Sequence, residues 1–210
     1  MKNGSNCYYI NLSIFVIFIS IIVSIYLILN RKIEEKEKVN FLKSQQLDFF
    51  QDKYSSLLFA DTLRISNNEK FINTSFYLLN VEKDSILFLD LIRIQEKGTI
   101  FFYYNELNCH LCVDSELKII NEFIKKSNLK IVLLAKYKSM RDLYLFIRTN
   151  QLANIEIYNL RRNSLGLNIE KFNTPFYFTI DTSNIARNVF IPEKMFPDRS
   201  SLYLKTQLLN

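Results

Sequence analysis

The chain has 210 residues, 49% apolar and 23% charged, a balance close to that of soluble globular domains; it excludes a wholly disordered chain and a polytopic membrane protein. Three Gly and three Pro exclude glycine-loop nucleotide binding and linker-rich architectures, and three Cys are too few for a disulfide-stapled scaffold. The net charge of +6 suits anionic membranes or acidic partners, but Lys and Arg are scattered without a dense run, so no nucleic acid is expected as a partner.

Residues 1–7 form a short tail. Between Lys2 and Arg31 no residue is charged, and Tyr8 to Leu29 reads YYINLSIFVIFISIIVSIYLIL. At about 1.5 Å per residue this run matches a hydrocarbon core of about 30 Å, which predicts a single transmembrane anchor over 8–30 in contact with the lipid bilayer. Tyr8 and Tyr9 fall where an interfacial aromatic belt would lie. A cleaved signal peptide would end a shorter apolar run with a small-x-small site, and ILNRK offers none. Cys7 precedes the apolar run, so it does not stand where a lipoprotein carries its lipid-bearing cysteine.

From Arg31 the sequence turns polar and runs to Ser66 without Gly or Pro, which predicts a helical stalk over 31–66. Val39, Leu42, Phe49, Phe50, Leu57 and Leu58 fall loosely on one face, and Glu34 stands four residues before Lys38. Gln46 and Lys53 interrupt the heptads, and a homodimer through the stalk is the assembly this segment allows. Ser66-Asn67-Asn68 is the first clear turn signal and marks the start of a domain over 67–210.

In that domain, residues 75–80 and 85–89 read as a hairpin across Glu82-Lys83-Asp84. Thr99 to Tyr104, TIFFYY, is a buried strand by its uninterrupted apolar and aromatic character. Helical periodicity follows over 110–126 through Val113, Leu117, Ile120 and Ile124. Leu129 to Ala135 reads as a strand, Met140 to Ile147 as a helix and Ile155 to Tyr158 as a short strand. Residues 176–180 and 188–191 read as a terminal strand pair and 198–208 as a closing helix. The order predicts an α/β domain with a central mixed sheet flanked by helices.

One motif dominates the chemistry: Asn108-Cys109-His110-Leu111-Cys112, directly after the TIFFYY strand and at the start of a helix. Zinc uses the same spacing but needs about four ligands. His110 is the one histidine and the third cysteine lies before the apolar run, so no metal and no other cofactor is expected. Two buried structural cysteines are the plain alternative. A thiol at a helix N-terminus meets unpaired N–H groups and the positive end of the helix dipole, which favour the thiolate. A second cysteine three residues on lies nearly beneath the first and can close a reversible disulfide.

With this motif in view the chain resembles the thioredoxin superfamily, and within it the membrane-anchored bacterial thiol–disulfide proteins of the TlpA and thiol-redoxin group. The resemblance is carried by GTIFFYYNEL running into CHLC, by Thr174-Pro175 followed by FYFTID, and by the lead-in DSILFLDLIRIQEKGTIFF, and it extends from near Phe71 to the end. It implies a thioredoxin-like fold, with Cys109 as the exposed attacking thiol, Cys112 as the buried resolving thiol and Pro175 as a cis-proline packed against the disulfide, preceded by Thr174. Two positions depart from the family pattern. The usual Trp before the first cysteine is Asn108. The buried acid that thioredoxin carries six residues before that cysteine falls at Tyr103, leaving Glu106 or a water as substitutes. His110, if protonated, would favour the Cys109 thiolate.

The implied function is a membrane-tethered thiol–disulfide oxidoreductase that exchanges disulfides with protein thiols of the cell envelope. The alternative is a non-catalytic thioredoxin-fold binding or assembly module held at the membrane. For orientation, Arg31, Lys32, Lys36 and Lys38 after the anchor would by the positive-inside rule keep the domain in the cytoplasm. The resemblance implies the opposite, and an outer, periplasmic domain leaves Cys7 unpaired in the reducing compartment; the extracytoplasmic placement is the expectation adopted.

Overall fold

The structure is a computed structural model that describes residues 4–96, 98–108, 110–127, 129–152 and 155–208; side chains in the first helix are described from Ile17 on, and those of His110 and Leu111 lie outside the description. The chain divides into two compact units, residues 1–53 and residues 54–210.

The first unit is carried by α1, Gly4–Asn67, which continues into the second. No Gly or Pro interrupts the helix beyond Gly4, and Ser20 and Ser24 donate to the carbonyls of Ile17 and Ser20 at 2.8 Å, so these hydroxyls are satisfied within the helix. Ile17 to Leu29 present large exposed apolar side chains, Phe18 at 66%. Among the described residues no helix is long and apolar enough to cross a membrane; the first half of the expected anchor, residues 8–16, lies outside the described side chains.

The second unit is built on a seven-stranded mixed sheet: β1 (Tyr77–Asn80), β2 (Ser85–Leu87), β3 (Ile100–Asn105), β4 (Ile131–Lys136), β5 (Glu156–Asn159), β6 (Phe176–Ile180) and β7 (Ala186–Phe190), in the order β2-β1-β5-β4-β3-β6-β7. β3, β4 and β5 are parallel neighbours, connected through α3 (His110–Lys126) and α4 (Met140–Thr149). β6 runs antiparallel to β3, β7 antiparallel to β6, and α5 (Pro197–Gln207) closes the chain. β3 is buried at every position, which is why TIFFYY lacks the alternation of a half-exposed strand. Its partner register is filled with rings: Phe101 opposite Phe178, Phe102 opposite Tyr177 and Tyr103 opposite Phe176, with centroids 5.5, 4.5 and 4.7 Å apart.

Successive β3 side chains point to opposite faces and feed two cores. Phe101 and Tyr103 pack with Ala60 and Leu63 of α1, with Phe88 and Leu91 of α2 (Phe88–Ile94), and with Ile169 of a 3₁₀ turn, Asn168–Phe172. Ile100, Phe102 and Tyr104 pack with Val113, Leu117 and Ile120 of α3, Leu143 and Ile147 of α4 and Leu204 of α5.

Several expectations are corrected here. The second hairpin strand stops at Leu87, and the LFLDLIRI stretch becomes α2, because Phe88 and Leu91, three residues apart, are both fully buried on one helical face. The 3₁₀ turn was not expected; Ser164 Oγ and the Leu167 N–H both donate to Glu170 Oε1, at 2.9 and 3.1 Å, and hold its entry. The last strand starts at Ala186 rather than Asn188, which instead sits inside it with φ 52° beside an irregularity in the β6–β7 register. The compact domain begins at Tyr54, well before Ser66: Ala60 and Leu63 belong to its core, and Asn67, fully buried, accepts from the Ile169 N–H at 3.1 Å and donates to the Leu63 carbonyl at 2.8 Å.

Candidate thiol–disulfide site

β3 ends at Asn105, and the chain reaches α3 through Glu106, Leu107, Asn108 and Cys109. Asn105 organises this passage. Its backbone N–H donates to Asn108 Oδ1 at 2.7 Å, its Oδ1 accepts from the Leu107 N–H at 2.8 Å, and its carbonyl accepts from the Asn108 N–H at 3.1 Å. Two asparagines thus close the turn with side-chain bonds in the way Asx turns do, and the helix starts where the turn releases the chain.

The same Asn105 joins the motif to the proline segment. Its Nδ2 donates to Asn173 Oδ1 at 3.2 Å, 68 residues along the chain. Asn173 is left-handed, φ 48° and ψ 42°, and ends the 3₁₀ turn; Thr174, half-buried, and Pro175, buried, follow into β6. The expected cis bond at Thr174–Pro175 is a correction: among the described residues no peptide bond is cis, so this bond is trans. The left-handed Asn173 already redirects the chain into β6, and the trans form is the lower-energy one for X-Pro bonds.

The expected site residues are distributed as follows. Cys109 lies outside the described residues, so its sulfur has no described position and no Cys109–Cys112 bond is described. Cys112 stands on the first turn of α3 and is partly buried. His110 belongs to the start of α3, its side chain outside the description. Glu106 is partly buried and turned towards the β4–α4 loop, where Oε2 accepts from the Lys138 N–H at 3.2 Å and Oε1 lies 3.8 Å from Lys138 Nζ. It is only partly buried. Tyr103, at the position of the family's acid, is fully buried; its hydroxyl has no hydrogen-bond partner, and burial, then the Glu170 carboxylate, push its pKa far up, against a smaller opposing effect of Asn105. It therefore stays neutral. Tyr137, at the end of β4, is raised to about 12 by burial and by Glu106, Asp114 and Asp142.

The buried acid of this region is one the sequence reading did not single out. Glu116 is 4% exposed and lies four residues after Cys112, one turn along the same face of α3. Its Oε2 accepts from the Tyr177 hydroxyl at 2.8 Å and its Oε1 from the Ser200 hydroxyl at 3.0 Å, so it ties α3 to β6 and α5. Burial raises its pKa above the ordinary 4.5, and the two hydroxyl donors counter this only in part. The signal was present: Glu116 falls beside Leu117 on the stripe through Val113 and Ile120, an acid at a core position of an amphipathic helix. Among the described residues no cluster of His, Cys, Asp or Glu is arranged to hold a metal ion.

No protein-family model matches the chain, and no curated protein matches it. Solved structures do. An uncharacterised thioredoxin-like protein from Porphyromonas gingivalis aligns with 68% of this chain and 94% of its own, at 11% identity and a TM-score of 0.49. DsbF from MTB, seen in mixed oxidised and reduced forms, aligns with 64% of this chain and 96% of its own at 12% identity and a TM-score of 0.48. A thio-disulfide isomerase from Thermus thermophilus aligns over 68% and 95%, at 14% identity and 0.43. The described domain is a seven-stranded mixed sheet with flanking helices.

Proposed function

We propose that the protein is a thiol–disulfide oxidoreductase that exchanges disulfides with protein thiols of the cell envelope through Cys109 and Cys112. The observation that carries this reading is the Asn105–Asn173 bond: it holds the Thr174-Pro175 segment against the turn that delivers the CHLC motif from a buried strand to a helix start. A strand-to-helix junction favours thiolate at the first cysteine, and the neighbouring extended segment offers its backbone to a substrate strand.

In the exchange, the Cys109 thiolate attacks one sulfur of the target disulfide. The target's other sulfur leaves as a thiolate, and a mixed disulfide forms. Cys112 then gives up its proton and attacks the Cys109 sulfur, releasing the target as a dithiol and closing the Cys109–Cys112 bond. Two electrons pass from the pair to the target, and the reverse sequence oxidises a dithiol; the relative reduction potentials set the direction. His110 at the helix start adds a positive charge near Cys109 when protonated. Glu116, one turn from Cys112, is a buried carboxyl of raised pKa within the protein interior that the resolving thiol shares.

The tether belongs to the same reading. The uncharged stretch from Asn3 to Asn30 and the exposed apolar side chains of α1 from Ile17 to Leu29 support a single membrane span over residues 8–30; the extracytoplasmic side for the domain rests on the resemblance alone, against the charges that follow the span. Removing residues 1–30 should release a soluble protein, whereas the full chain partitions into membranes. For the chemistry, Cys112→Ser should accumulate mixed disulfides with envelope proteins and Cys109→Ser should not; equal trapping by both would reverse the assigned roles, and trapping by neither would leave the fold as a binding module.

A further inference from the structure

After β5 the chain turns back over residues 160–163 and presents two adjacent arginines on a fixed support. The Asn163 N–H donates to the Leu160 carbonyl at 3.0 Å, and Asn163 Nδ2 donates to the Tyr77 carbonyl of β1 at 3.3 Å. Arg161 has a left-handed φ of 56°, a backbone conformation that is unfavourable for a residue with a Cβ. Asn159 holds it there. This fully buried side chain accepts from the Arg161 N–H at 2.9 Å and the Tyr137 N–H at 3.0 Å, and donates to the Tyr137 carbonyl at 3.1 Å. Beside the turn lies a groove of about 590 Å³ lined by Phe76, Tyr77, Leu79, Arg161, Arg162 and Asn163. Phe76 is buried and stacks on Phe88 at 5.5 Å, so the core fixes one apolar wall, and Tyr77 is 63% exposed. No acid lines the groove, and among the described residues neither exposed guanidinium is ion-paired.

We propose that this groove docks an extended peptide segment of a partner protein in which an acidic residue stands next to an aliphatic one. Arg161 and Arg162 hold the carboxylate, and the aliphatic side chain lies against Tyr77 and Leu79. Charge complementarity selects this occupant: two neighbouring guanidiniums without an internal acid attract an anion, and their planar sets of N–H donors match the two oxygens of a carboxylate. The net charge of +6 favours the approach of an acidic partner over a basic one. An inorganic anion would use the arginines alone and leave the aromatic and aliphatic walls in water, whereas a peptide covers both. The bonds from Asn159 and Asn163 already order the turn, so docking restricts side chains and not the backbone that carries them.

The probe is a fluorescein-labelled hexapeptide of alternating glutamate and leucine, titrated with the full-length chain in a non-ionic detergent and read by fluorescence anisotropy. The wild type should bind it saturably. The double variant Arg161→Gly, Arg162→Ala removes both charges, and glycine suits the left-handed backbone at 161, so the turn is kept. Its Kd should be weaker by about tenfold or more, the size of one lost hydrogen bond to a charged group. An unchanged Kd in that variant, or no saturable binding by the wild type, overturns the proposal. Should the double variant fail to fold by circular dichroism, Arg162→Ala decides instead, with a loss of about threefold or more expected and an unchanged Kd overturning the assignment. Glutamine in place of glutamate in the probe should abolish binding to the wild type. A hexaglutamate that binds as tightly as the alternating peptide would reduce the groove to a cationic surface and overturn the docking of an aliphatic neighbour. Vesicles of anionic lipid that bind in an arginine-dependent way while the peptide does not would transfer the groove to the membrane and overturn it as well.

Discussion

The two faces of the sheet are built from the same strands yet carry different kinds of polar group. On the face covered by the end of α1, by α2 and by the 3₁₀ turn, one fully buried polar side chain is Asn67, neutral, with its carbonyl oxygen accepting from Ile169 and its amide donating to Leu63. On the face covered by α3, α4 and α5 it is Glu116, ionisable, held by the hydroxyls of Tyr177 and Ser200 and one turn from Cys112. Asn67 joins chain segments through neutral, matched hydrogen bonds. Glu116 is a titratable group of raised pKa one turn from a cysteine, so its contribution to stability depends on pH while that of Asn67 does not. The helix that bears Cys112 thus carries the titratable member of this pair of side chains, and the end of α1 carries the neutral one.

The largest test of this division concerns the stalk end. Residues 54–210 should fold as a unit, and residues 67–210 should not, because that shorter fragment lacks Ala60 and Leu63 and so opens one of the two cores. Urea unfolding followed by circular dichroism compares them; a cooperative transition in both would show that the end of α1 is dispensable to that core. At the level of one side chain, Leu63→Ala should cost about 2–5 kcal/mol, the range for a buried leucine that leaves a cavity, with no change in Cys112 alkylation. Asn67→Ala should cost about 1–3 kcal/mol, since it orphans the Ile169 N–H, and the loss should be the same from acid to neutral pH.

The smallest expected effect sharpens the contrast most. Glu116 has a folded pKa above its unfolded value near 4.5, so between the two the native state binds more protons than the unfolded chain. Its contribution to stability is therefore greatest below the unfolded pKa and declines as pH rises through the raised folded value. Glu116→Gln keeps an oxygen for one hydroxyl and cannot ionise. The variant should lose this part of the downward slope of unfolding free energy against pH, a difference measurable by urea midpoints at a series of pH values. An identical slope in both proteins would place the Glu116 titration at its ordinary value and remove the asymmetry between the faces.

Much of the architecture was legible because the physics behind it is local. TIFFYY announced a doubly buried strand through unbroken apolarity, and the three-to-four spacing of Val113, Leu117 and Ile120 announced the face of α3. The CHLC motif was placed at a strand-to-helix junction by the order of those two patterns alone. α2 was lost because seven residues rich in Leu and Ile satisfy both periods, and only the burial of Phe88 with Leu91 chooses the helix.

The sequence by itself therefore determined the strand and helix order from β3 to β6, the position of the cysteine pair within it, and the uncharged run near the N-terminus. Tertiary structure decided the rest. It decided that α1 does not end as a spacer but lends Ala60, Leu63 and Asn67 to the core, because burial of an amphipathic turn depends on what stands opposite it. It decided that Glu116 is an interior acid and Glu106 is not, because the partners that satisfy or expose a carboxyl come from 61 and 84 residues away in one case and from Lys138 in the other. And it decided the geometry at Pro175, where a left-handed Asn173 turns the chain and a bond from Asn105 holds it, leaving the proline trans; contacts across 68 residues are not written in any local pattern, since they exist only once the sheet has brought the two segments together.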